Sequence, residues 1–122
     1  MQVRSFRDLV VWQKGLDLAA EVYSLTTQFP RSEQFRLVDQ ITRSAASVAA
    51  NVAEGHERGT RKDYANFVAI ARGSLAETQT FLFLAERLGY VAPERCRAVQ
   101  TLAEEVSKML NSLLLRLRRP NP

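Results

Sequence analysis

A chain of 122 residues fits one folded domain, and its 46% hydrophobic and 25% charged residues are ordinary globular usage, which excludes a disordered or low-complexity chain. The single cysteine, Cys96, excludes an internal disulfide framework and a cysteine-based zinc site, and no apolar run reaches the roughly 18 residues that a membrane span needs. The net charge of +4 is unevenly placed: residues 89–122 hold six Lys and Arg against three Asp and Glu, so a polyanionic partner would meet this stretch first.

Five glycines and four prolines punctuate the chain sparsely, which predicts long elements. The opening residues lack the apolar core of a signal peptide, so a soluble, cytoplasmic protein with no membrane partner is expected. A first helix over about 5–28 would be capped by Ser5 and would repeat Leu9, Trp12, Leu16, Ala19 and Tyr23 on one face. Phe29-Pro30 ends it, because the residue before proline is pushed out of the α region.

A second helix, about 32–58, carries Val38, Ile41, Ala45, Val48 and Val52 on one stripe. A polar stripe, Gln40, Ser44, Ser47, Asn51 and Glu54, runs beside it among alanines, the small residues that permit close helix approach. Gly55 and Gly59 read as helix-end residues, and Thr60 opens a third helix over about 60–88 with Asp63 three positions on. Its stripe is Phe67, Ile70, Ser74, Glu77, Phe81, Leu84 and Leu88, with Gly89 at the end.

Pro93 starts a fourth helix, about 93–118, with Val99, Leu102, Val106, Met109, Leu113 and Leu117 as its main stripe. Leu113-Leu114-Leu115 is wider than the roughly 100° face that a bundle helix buries, so Leu114 and Leu115 are candidates for a subunit contact. Short connections between long helices predict one all-α domain over residues 1–122, an antiparallel up-down-up-down four-helix bundle; a fragment of an αα-solenoid is the alternative.

Catalytic constellations are missing from the sequence. His56 is the only histidine, with neither a His-Glu-x-x-His nor a paired Glu-x-x-His pattern around it, and it reads as an exposed loop residue. No phosphate-loop glycine spacing occurs either, so a non-enzymatic protein without cofactor or metal is expected.

Two other groupings carry information. If the second and third helices turn near Gly59, facing residues have numbers summing to about 118, which sets Ser44 against Ser74 and puts Arg43 within a turn of Glu77. Glu77 shares its face with Phe81 and Leu84, so partial burial with Arg43 as cationic partner is expected. Gln40, Arg43, Ser44, Asn51, Glu54, Ser74 and Glu77 then form either a network that fixes helix register or a ligand pocket. For phosphates, Arg58, Arg61 and Lys62 compete with Arg116, Arg118 and Arg119, and ordinary solvated helix ends are the alternative for each cluster.

The sequence Phe6-x-x-Leu9-x-x-Trp12-x-Lys14, Phe29-Pro30, Gln40-Ile41-x-Arg43-Ser44-Ala45-x-Ser47-Val48-x-x-Asn51-Val52-Ala53-Glu54-Gly55, then Arg58, Phe67, Ala71, Gly73-Ser74-Leu75 and Glu77, resembles one family. It is that of four-helix-bundle proteins encoded in 23S rRNA intervening sequences, itself similar to the accessory variability determinant (Avd) of diversity-generating retroelements. Ala49 stands where the family commonly has proline, and Phe35-Arg36 where it has Tyr-Gly. The resemblance implies an antiparallel bundle assembled as a homopentameric ring. The Avd relatives bind nucleic acid and a reverse transcriptase, so RNA or a nucleic-acid-processing protein is the partner class implied, beside self-association; a structural or protein-interaction module is the competing class.

Overall fold

The computed structural model describes residues 3–120. Four long helices carry the fold, α1 (Val10–Thr26), α2 (Leu37–Glu57), α3 (Arg61–Arg87) and α4 (Pro93–Leu117), with short 3-10 turns at Phe6–Asp8 and Arg31–Glu33 and no strand among the described residues. α1 and α3 each pack against both α2 and α4, which makes a four-helix bundle around a single core. Leu18, Leu25, Ile41, Leu75, Leu82 and Leu110 are its largest fully buried side chains.

The helix starts depart from the sequence expectation at two places. Ser5 does cap, but it caps one 3-10 turn, in a reciprocal box with Asp8; Leu9 is then extended, so α1 begins at Val10. Ser32 caps nothing. Phe29 is buried and tilted against Tyr90, whose hydroxyl donates to Glu33 Oε2 at 2.7 Å. Glu33 Oε1 in turn accepts from Leu37 N at 3.4 Å, and α2 therefore starts at Leu37. The Tyr90 hydroxyl, followed by the Leu37 amide and Arg36, holds the Glu33 carboxyl below the usual carboxylate range. This carboxylate ties the α1–α2 and α3–α4 connections together.

Buried faces follow prediction closely in α2, where Leu37, Ile41, Ala45, Val48 and Val52 turn inward. In α1 the expected Ala19 is buried and Leu9 and Trp12 pack half-buried on the core, but the deeper face takes Val11, Gly15, Leu18, Val22 and Leu25, and Leu16 and Tyr23 are left exposed. Apolar residues sit on more than one face of this helix, and the choice falls to the face bearing Gly15. A Cβ there would stand 3.3 Å from Ala49 Cβ, so the two small residues set how closely α1 meets α2. In α3 the core takes Val68, Ala71, Leu75, Thr78, Leu82 and Ala85, one step round from the expected stripe. Ile70, Leu84 and Leu88 of that stripe face outward. In α4, Leu114 is 2% exposed and belongs to the core rather than to a subunit contact; Leu115, at 68%, is exposed as expected.

Gly59 and Gly89 follow α2 and α3 with φ of +86° and +76°, the left-handed region in which glycine avoids a Cβ clash. Gly55 is different: it lies inside α2, where a Cβ would come within 2.8 Å of Phe67 Cβ and 3.2 Å of the Tyr64 carbonyl oxygen. Its absence of a side chain lets the α2 end meet the α3 start, so this glycine, in the last turn of α2, serves packing.

Candidate nucleic-acid interface and polar groove

The α2 and α3 polar stripes meet as a hydroxyl ladder. Ser44 Oγ lies 2.9 Å from Thr78 Oγ1, Ser47 Oγ lies 2.8 Å from Ser74 Oγ, and Asn51 Nδ2 donates to Ser47 Oγ at 2.8 Å. Ser44 was expected opposite Ser74; it meets Thr78, about one turn further along α3. Thr78 lies off the stripe expected for α3, and its place opposite Ser44 depends on which face of that helix turns inward. Ser44, Ser74 and Thr78 are buried and bonded, so the ladder satisfies its own hydroxyls and fixes the register of the two helices.

Outside the ladder the same helices leave a groove of about 320 Å³ lined by Gln40, Arg43, Ser44, Ser47, Ser74, Glu77 and Phe81. Glu77 is exposed rather than partly buried, because α3 presents the neighbouring face to the core. Arg43 turns to its own helix and meets Asp39 at 3.4 Å, not Glu77. Glu54 is likewise spent locally, in an i,i+4 pair with Arg58 at 3.1 Å, a spacing that the sequence itself displays.

The two basic clusters, read separately in the sequence, come to one end of the bundle. Arg61, the first residue of α3, donates from Nη2 to the carbonyl oxygens of Arg116 at 2.7 Å, Arg119 at 3.3 Å and Leu117 at 3.4 Å. A cation at a helix C-terminus faces the negative end of the helix dipole, and it adds a donor to the end carbonyls, of which Arg116 O also accepts from Arg119 N at 3.4 Å. Arg61 is thus a cap on α4. Arg58 is committed too, to Glu54 and to the Phe67 ring, whose centroid lies 4.9 Å from its guanidinium carbon.

Lys62, Arg116, Arg118 and Arg119 are exposed at this end, and among the described residues none of them lies within ion-pair distance of a carboxylate. Arg72 joins them: its Nη1 donates to Asn111 Oδ1 at 3.2 Å across the α3–α4 seam. Nothing in the sequence singles out Arg72, since its place depends on how α3 and α4 are registered. His56 is not a loop residue. It occupies the last turn of α2, with its ring edge-on to Tyr64 at 5.6 Å, and burial pushes the Tyr64 phenol up against the smaller opposing pull of Arg116. Cys96 is buried under α3, and burial first, then Glu86, pushes its thiol up to about 11. No helix of the described residues is long and apolar enough to cross a membrane.

With this geometry in hand, the chain can be placed. The sequence model described as 23S rRNA-intervening sequence protein matches residues 7–112, and the chain belongs to that family. Among solved structures it is similar to a protein of unknown function from the S23 ribosomal protein family of Bacteroides thetaiotaomicron VPI-5482, with a TM-score of 0.78 and 29% identity over 86% of this chain and 98% of that one. None of the curated proteins compared with the chain matches it.

Proposed function

We propose that this member of the 23S rRNA-intervening sequence protein family is a non-enzymatic, homo-oligomeric scaffold for RNA or a protein–RNA complex, working in the cytoplasm. The carrying observation is the convergence of Lys62 with Arg116, Arg118 and Arg119 at one end of the bundle, without carboxylate partners among the described residues. Phosphates are the anions that such a set of cations attracts most strongly, through counterion release. No groove-sized recognition element accompanies them, so contacts to backbone and shape would dominate over base readout.

Two finer readings belong with it. An antiparallel up-down-up-down course is supported by the order of the α2–α3 contacts: Ser44 with Thr78, Ser47 with Ser74, Gly55 with Phe67. Assembly into a closed ring, of five copies by the family resemblance, is supported by the outward-facing Ile70, Phe83, Leu84 and Leu88 of α3, an apolar surface that one chain does not cover. A ring repeats the cationic end and multiplies its field.

Filter binding of a structured RNA at several salt concentrations tests the reading. Four phosphate contacts per subunit predict a fall in affinity on the order of 100-fold between about 50 and 200 mM salt. The combined Lys62→Ala, Arg116→Ala and Arg118→Ala variant is expected to abolish most of that binding with its helical circular dichroism intact. An absence of binding at low salt would sink the RNA reading and leave a structural or protein-interaction module.

A further inference from the structure

Between α3 and α4, beside the cationic end, Arg72, Asn111, Leu114, Leu115 and Arg118 line a shallow pocket of about 240 Å³. The hydrogen bond to Asn111 Oδ1 engages one edge of the Arg72 guanidinium and restrains its plane, while the remaining N–H groups have no partner among the described residues. Arg118 follows the last residue of α4 and lines the same pocket. No carboxylate lines it. The carbonyls at the α4 C-terminus would ordinarily repel an anion here, but Arg61 occupies those of Arg116, Leu117 and Arg119 and cancels much of that field.

Leu115 gives the pocket its second character. It is 68% exposed and lines the pocket together with the buried Leu114 and the two arginines. A subunit contact centred on Leu115 would draw these cations into an interface to which the pocket's own lining brings no countercharge, and interface cores are depleted of such charges. A ligand that carries both a negative charge and a flat apolar face would satisfy arginines and leucine together. Duplex RNA hides its base faces, whereas an unpaired nucleotide exposes one beside its phosphate.

We propose that this pocket holds one unpaired nucleotide of a bound RNA, with its phosphate between Arg72 and Arg118 and its base lying on Leu115. The proposal rests on the RNA reading above and refines it: Lys62, Arg116 and Arg119 contact backbone generally, and this pocket prefers single-stranded or bulged segments. Leu115 then serves ligand binding and not assembly.

Fluorescence anisotropy with a labelled oligouridylate and with a blunt RNA duplex of equal length provides the test. Leu115→Ala is expected to weaken the oligouridylate about five-fold with an unchanged salt slope, and to leave the duplex unaffected. Arg72→Gln is expected to weaken it about ten-fold and to reduce the slope by roughly 0.7, one single-strand phosphate contact. Competition by uridine monophosphate above that of inorganic phosphate would support a base contact, and equal competition would reduce the site to a phosphate site and overturn the proposal. Equal effects of Leu115→Ala on both RNAs, or a smaller particle in light scattering of that variant, would overturn it as well. If the unaltered protein binds neither RNA at low salt, the scaffold reading itself has failed; binding to both with no response to these substitutions removes only the nucleotide pocket.

Discussion

Two glycines on neighbouring helices show how differently one residue type is used. At Gly55 an added methyl group would stand 2.8 Å from Phe67 Cβ, closer than real Cβ atoms come, and 3.2 Å from the Tyr64 carbonyl oxygen, a tight contact, so something must move. At Gly73, inside α3, nothing lies within 4 Å of the built Cβ, and no unusual φ is involved. Gly55→Ala is therefore expected to destabilise the chain by about 1–3 kcal/mol through overpacking, while Gly73→Ala should stabilise it by about 0.5–1 kcal/mol by raising helix propensity. Urea denaturation of both variants checks the pair; an unchanged midpoint for Gly55→Ala would mean that α2 and α3 separate at no cost. The sequence displayed both glycines but not this distinction, because steric demand is a property of the partner helix. The same holds for Glu77 and Leu114. Each sits at a position where helical periodicity permits either side of the core boundary, and only the packing of α3 and α4 places the carboxylate outside and the leucine inside.

Among the elements, α4 illustrates how a helix end depends on a residue far away in the chain. Its C-terminal carbonyls receive Arg61, so the last turn is held by the first residue of α3. Arg61→Ala is expected to cost about 1 kcal/mol, and hydrogen exchange should accelerate selectively at the amides of the final turn of α4. Arg61→Lys should recover part of the loss, since an ammonium keeps the charge but sits on a differently shaped side chain from the guanidinium whose Nη2 reaches the three oxygens. Exchange rates at that turn identical to the parent would show that the cap does not form in solution. This contact also means that weakened RNA binding in an Arg61 variant could arise through the helix end, which is why the binding test above spares it. The existence, order and approximate ends of the helices were legible from periodicity and punctuation, and α2's buried face with them. The faces of α1 and α3 were not, because both helices carry apolar residues all the way from the core stripe onto an adjoining one, and a period of 3.6 does not choose between two such stripes. Gly15 against Ala49 decides it for α1, and the hydroxyl ladder decides it for α3.

For the molecule as a whole, part of the stripe expected in the core on α3 turns outward: Ser74 is buried and Phe81 packs half-buried on the core, while Ile70, Leu84 and Leu88 are exposed. Ile70 and Leu84 are 51% and 42% exposed, and Phe83 and Leu88 are exposed as well, whereas Leu75 and Leu82 are buried. A second copy covering this face would explain why the helix carries apolar residues beyond its buried side. The combined Ile70→Glu and Leu84→Glu variant is expected to run as a 13.8 kDa monomer in light scattering at micromolar concentration, with helical content retained because neither side chain contributes to the buried core. Its affinity for a long RNA should fall by more than ten-fold although no cation has been altered, since a ring engages several phosphate runs at once and a monomer only one. A short oligonucleotide that fits a single subunit should bind both forms alike. Should the variant keep the parent's mass, or the parent itself be monomeric, the α3 face is not the subunit contact. Affinities for long RNA that stay equal after dissociation would instead separate assembly from RNA binding, and each subunit would then act alone.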